Sequence, residues 1–131
     1  MAANLDTLKQ GYEAFANGDV QAATENWADD IVWQGPNSEG FPGSGEHEGK
    51  DAAVQTLQEV VGAWDEFKLS PDQFFESGDT VVVLAHVNAT KGEESAEMPV
   101  VHIWRFNDDA KVTRFQSLTD TLQAARLLGS V

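Results

Sequence analysis

"EFKLSPDQFFESGDTVVVLAHVNATKGEESAEMPVVHIWRFNDDAKVTRFQSLT", residues 66 to 119, is built from four runs rich in β-branched and aromatic residues, 66–77, 80–90, 96–106 and 111–119. Between them lie "SGD", "KGEE" and "NDDA". Runs of period two bounded by Gly, Asn and Asp are strand and hairpin signals, so the stretch predicts four strands in an antiparallel meander. Within it, "VVVLAHV" and "VVHIW" are apolar on both parities, a pattern that a sheet with one face in water does not need. Both faces of the sheet are therefore expected to be covered.

The segments before the meander read as helices. Leu5, Leu8, Tyr12, Phe15 and Ala16 recur at spacings of three and four, and "NGD" at 17–19 ends that helix. Asp19 then suits the N-cap of a second helix, "DVQAATENWADD", whose Val20, Ala23 and Trp27 share a face. "IVWQGP" predicts a short strand, and the glycine-rich segment through Gly49 a loop, because Gly35, Gly40, Gly43, Gly45 and Gly49 make up five of the chain's eleven glycines. In "KDAAVQTLQEVVGAWDEF" a third helix is marked by Val54, Leu57, Val61 and Trp64, with Asp51 placed to suit the helix dipole. "DTLQAARLLGSV" predicts a short closing helix. The expected fold class is α+β: three N-terminal helices on one face of a curved antiparallel sheet, and a short C-terminal helix, in a single domain over 1–131. Three helices are too few to cover both faces, so a homodimer formed sheet to sheet is expected.

Composition narrows the function classes. With 131 residues, 41% of them hydrophobic, the chain has the length and apolar content of one domain with a real core. No apolar run approaches the roughly 20 residues that cross a bilayer, and "MAANLDTLKQGYEAF" lacks the basic start and apolar block of a signal peptide; a cytoplasmic protein is expected. Absence of cysteine excludes disulfides and thiolate chemistry, and His47, His86 and His102 are too scattered for a zinc site, so neither metal nor cofactor is expected. Eight basic against twenty-two acidic residues give a net charge of −14, which repels phosphate backbones and anionic membranes; neither nucleic acid nor membrane is expected as a partner.

In their order along the chain, "YEAFANGD", "WADDIVWQGP", "HEGKDAAV" and "VVHIWRFNDDAKVTRFQSLTD" resemble the SnoaL-like and ketosteroid-isomerase-like branch of the nuclear transport factor 2-like superfamily. The resemblance covers nearly the whole chain. It implies a cone-shaped sheet, the cystatin-like roll, around a deep apolar pocket, in a fold that hosts isomerases, cyclases, hydrolases and pure binding proteins. Carried over residue by residue, it puts the isomerase's oxyanion tyrosine at Gly11, with Tyr12 one residue, about 100°, further around the helix. The isomerase's proton-shuttling aspartate falls on Gly35, and its second, hydrogen-bond-donating acid on His102. That isomerisation mechanism therefore lacks its base. The acid/base aspartate of the SnoaL-like polyketide cyclases is matched by Asp120.

His102 and Asp120 are thus the candidate catalytic residues, Asp120 moving a proton and His102 orienting or polarising an oxygen. Each also has a purely structural reading. His102 would be a neutral core imidazole with a satisfied partner, and Asp120 in "TDTLQAA" the cap of the closing helix. Tyr12, Phe15, Trp27, Trp33, Phe41, Trp104 and Phe106 supply enough aromatic surface to line a pocket for a small apolar or cyclic molecule, or else are ordinary core. The loop after Trp33 is placed to act as a lid. His47 is expected to be exposed, and His86 to lie on the dimer face. Acid/base chemistry on an apolar ring-containing substrate and ligand binding without turnover both fit this pattern.

Overall fold

The computed structural model describes residues 2–38 and 41–129. Residues 39–40 of the glycine-rich loop and 130–131 of the closing segment lie outside the described residues. In chain order the elements are α1 (Ala2–Ala16), α2 (Val20–Ala23), β1 (Trp27–Gln34), β2 (Glu46–Glu48), α3 (Lys50–Gly62), β3 (Glu66–Ser77), β4 (Thr80–Lys91), β5 (Glu94–Phe106), β6 (Val112–Thr119) and α4 (Thr121–Leu128). The six strands form one sheet in the order β2-β1-β6-β5-β4-β3.

From β3 to β6 the predicted meander is present, each strand antiparallel to the next. Inner and outer faces follow from strand parity. Val81, Val83, Ala85, Val87 and Ala89 of β4 and Met98, Val100, His102, Trp104 and Phe106 of β5 are all buried. The alternate positions Val82, Leu84, Val101 and Ile103 point the other way and stay partly or largely open. Helices cover the inner face only, with Leu8 and Tyr12 of α1, Ala53 of α3 and Ala124 of α4 joining its core.

Three expectations are corrected. The second helix stops after one turn. Asp19 caps it as predicted, accepting from the Ala22 amide at 3.0 Å, but the Thr24 hydroxyl donates back to the Val20 carbonyl at 2.9 Å and the chain leaves the helix there. From Trp27 onward the sheet claims the backbone, with Trp27, Ile31 and Trp33 buried, so tertiary pairing overrides the helical spacing of Val20, Ala23 and Trp27. Secondly, β1 pairs with β6 in parallel, with a register shift between Trp27 and Val32, so the sheet is mixed rather than wholly antiparallel. Thirdly, the loop contains the short strand β2, antiparallel to β1, and His47 within it is half-buried, its Nε2 2.9 Å from the Ser44 carbonyl oxygen.

α3 ends at Gly62, earlier than the sequence pattern, because Trp64 turns inward and Glu66 already pairs with Thr90. Its fully buried positions are Ala53 and Thr56, while Leu57 and Val60 pack beside them.

Candidate functional site

Between the inner face of the sheet, α1, α3 and the loop after β1 lies a cavity of about 130 Å³. All seven aromatic residues singled out in the sequence line it: Tyr12 and Phe15 from α1, Trp27 and Trp33 from β1, Phe41 from the loop, Trp104 and Phe106 from β5. So does His102. The sequence reading missed Phe115, whose ring centroid lies 4.5 Å from that of Trp104 and 4.9 Å from that of His102. Its position on β6, opposite Trp104, was the signal that would have found it.

At the centre of the polar chemistry are three side chains from α1 and β5. The Trp104 indole Nε1 donates to the Tyr12 hydroxyl oxygen at 2.9 Å, and that oxygen lies 2.7 Å from Nδ1 of His102. Both Tyr12 and His102 are more than nine-tenths buried. Burial pushes the His102 imidazole down to about 3, since a charged ring would lose its hydration there. Burial pushes the Tyr12 phenol well above its ordinary value, with the Trp104 hydrogen bond acting the other way. Both groups are therefore neutral at pH 7.

Among the described residues, no Asp, Glu, Lys or Arg lines the cavity. In a chain of net charge −14, no Asp or Glu of the described residues is buried. Asp120 is exposed and caps α4, its carboxylate accepting from the Gln123 amide at 3.0 Å. Its neighbour Thr119 lines the cavity, as does Ala124 on the first turn and a half of α4, but Asp120 does not. Sequence reasoning thus named two catalytic candidates, of which the structure brings only His102 to the cavity.

The positions carried over from the isomerase are also informative. A side chain at Gly35 would collide with the Gly43 carbonyl oxygen, so the loop itself occupies the place where an aspartate would stand. The loop is held there by the Trp33 indole N–H on the Gly43 carbonyl at 3.0 Å, by the Gly35 amide on Gly45 at 2.9 Å, and by the Ser44 hydroxyl on Pro36 at 2.6 Å. At the other position, the shift from Gly11 to Tyr12 does not remove the phenol from the site, since both residues line the cavity.

Elsewhere, His86 of β4 pairs with Asp72, Nδ1 to Oδ2 2.9 Å, on the outer face of the sheet. Among the described residues no group of three or more His, Asp or Glu is placed to hold a metal ion, and no helix is long and apolar enough to cross a membrane.

Residues 8–115 match the family model described as a SnoaL-like domain. Among solved structures, the chain is similar to an NTF2-like protein of unknown function from Burkholderia pseudomallei, with 31% identity, 98% of each chain covered and a TM-score of 0.89. TerC, crystallised with polyporic acid, is 26% identical over 96% of this chain and 98% of its own, with a TM-score of 0.87. An NTF2-like protein from Burkholderia thailandensis is 27% identical over 95% of this chain and 96% of its own, with a TM-score of 0.85. No curated protein matches the chain.

Proposed function

The chain belongs to the SnoaL-like domain family, with the nuclear transport factor 2-like fold, and on that premise we propose that its cavity binds an uncharged, ring-containing organic molecule. The observation that carries this reading is the lining: mostly aromatic and aliphatic side chains, no formally charged residue among the described residues, and a few neutral polar groups, Thr7, Asn26, Ser117 and Thr119 beside the buried Tyr12–His102 pair. An apolar cavity with few convergent polar groups is the usual form of a small-molecule site. Burial of ring surface supplies the affinity and His102 the orientation. The co-crystal of TerC with polyporic acid supports a small organic occupant in this fold.

Binding without turnover is the reading that the geometry favours. Proton transfer near neutral pH works best with a group whose pKa lies near 7, and a histidine held near 3 is a poor base there. A second reading, acid/base catalysis with Asp120 as the base and His102 polarising a carbonyl, is favoured by one observation: Thr119 and Ala124, close to Asp120 on either side, both line the cavity.

One experiment tests both. 1-Tetralone, a neutral bicyclic ketone, is added to the protein in D₂O, and binding is followed by thermal shift while deuterium uptake at the ketone α-carbon is followed by NMR. Saturable stabilisation without exchange above the buffer rate supports binding. Exchange that is abolished in Asp120→Asn establishes the catalytic reading, and absence of stabilisation by 1-tetralone and a panel of related cyclic ketones overturns the cavity proposal.

A further inference from the structure

The Trp104–Tyr12–His102 chain has a direction that follows from proton counting. An indole Nε1 can only donate, so the Tyr12 oxygen accepts from Trp104. The phenol has one proton. If His102 Nδ1 carried a hydrogen and also donated to that oxygen, the Tyr12 O–H would need a third partner, and among the described residues the only side chains bonded to it are Trp104 and His102. With Nδ1 protonated, both the phenol proton and the Nε2 lone pair lack a protein partner at such burial, whereas donation from Tyr12 to Nδ1 leaves Nε2–H alone to be satisfied. Nδ1 is then the acceptor, and the ring proton sits on Nε2.

Among the described residues no group pairs with Nε2, yet no polar side-chain atom of those residues is both sealed off and unsatisfied. Because His102 lines the cavity, Nε2–H is open to it. The surroundings offer no alternative charge state: Phe115, Trp104 and Tyr12 rings pack around the imidazole at centroid distances of 4.9, 6.0 and 5.9 Å.

We propose that Tyr12, oriented by Trp104, locks His102 as its Nε2–H tautomer, which makes the imidazole a one-way hydrogen-bond donor that selects ligands presenting an acceptor oxygen. The inference rests on the cavity reading above and specifies the ligand chemistry: a carbonyl, quinone or ether oxygen on an otherwise apolar ring system. Ligands whose only polar atom is a donor, such as a ring N–H, meet another donor and are disfavoured. A site built around one buried donor discriminates sharply against a shape-matched ligand lacking the acceptor, since Nε2–H is then buried without a partner. Tyr12 and Trp104 act through His102 and are positioning residues.

The test begins with ¹⁵N-histidine NMR on the free protein between pH 5 and 8. The expected result is one neutral His102 tautomer protonated at Nε2 across the whole range, and a mixture of tautomers in Tyr12→Phe. An Nδ1–H tautomer, or an imidazolium at pH 6, in the wild-type protein overturns the proposal, and this measurement needs no variant to fold. Titration with 1-tetralone and with 1-methylenetetralin, which replaces C=O by C=CH₂, then reads selectivity. The ketone is expected to bind roughly tenfold more tightly and to shift the His102 Nε2 signal. Equal affinities, or ketone binding that leaves Nε2 unmoved, overturn the acceptor assignment. Failure of both compounds to bind counts against the cavity reading, and the tautomer measured in the free protein separates the two failures.

Discussion

The Tyr12 hydroxyl oxygen and His102 Nδ1 lie 2.7 Å apart, joining positions 90 residues distant in the chain inside an apolar core. Their bond ties α1 to the middle of the sheet, and with Trp104 it forms the polar centre of the cavity. Its contribution to stability and to recognition can be measured separately.

Tyr12→Phe keeps the ring and removes the oxygen, leaving the Trp104 N–H and His102 Nδ1 without their shared partner. Each orphaned buried group costs about 1–3 kcal/mol, so a loss of roughly 2–6 kcal/mol is expected in urea unfolding, with an unchanged m-value. A loss below about 0.5 kcal/mol would show that the bond contributes little to stability.

The depressed His102 pKa gives stability a defined pH dependence. Unfolded, the imidazole titrates at its ordinary 6.5, and folded at about 3, so between those values the unfolded state binds the extra proton. Stability from this group is complete above pH 6.5 and falls as pH drops towards 3, by up to about 1.4 kcal/mol per pH unit. His102→Gln removes that slope while the carboxylates keep theirs. Chemical denaturation of both proteins from pH 7 to 4.5 should show the wild type losing more stability than the variant, and parallel curves would contradict the burial of a neutral ring.

His86 behaves in the opposite sense. Its hydrogen bond with Asp72 raises its pKa, and the charges of Asp72 and Glu97 act the same way. Whatever stability the pair gives is present at acid pH and fades as pH rises through the folded pKa. In an NMR titration the His86 midpoint should stand above 6.5 and move down in Asp72→Asn.

Asp120→Asn should leave ligand affinity unchanged and alter stability by well under about 1 kcal/mol, because asparagine caps a helix nearly as well. Asp120→Ala should cost about 1 kcal/mol through loss of the bond to the Gln123 amide. A fall in turnover of roughly 100-fold or more in Asp120→Asn, with stability intact, would instead mark it as the acid/base group.

The uncovered face of the sheet carries Val82, Leu84, Val101, Ile103 and Leu118, with Leu84 37% and Leu118 46% exposed, and Phe75 on the adjoining strand 54% exposed. A contiguous apolar face of this kind on a −14 chain is expected to be covered by a second copy. Light scattering at micromolar concentration should give twice 14.2 kDa, and Leu84→Glu should halve it. A wild-type monomer would contradict the dimer.

The meander was legible because period-two alternation and hairpin turns are local signals: β3 spans the predicted 66–77, and β4 and β5 differ from prediction by one or two residues at their ends. The parity of His102, Trp104 and Phe106 could be read the same way. What could not be read was set by distant partners. Trp27 looks helical beside Val20 and Ala23 until β6 offers it a ladder, and nothing near Tyr12 signals a bond to His102. Asp120 carried two readings in one residue, since "TDTLQAA" fits a cap and the cyclase position alike; in the folded chain its carboxylate accepts from the Gln123 amide.

All four tryptophans, Trp27, Trp33, Trp64 and Trp104, line the cavity, so their indole N–H signals report directly on its occupancy. The most direct measurement is therefore a ¹H–¹⁵N NMR titration of the wild-type protein with 1-tetralone. Saturable shifts of those indole signals and of His102 Nε2, with one common dissociation constant, are predicted. Indole signals that stay in place while exposed residues shift, or no saturable change with any of the cyclic ketones, would contradict the account.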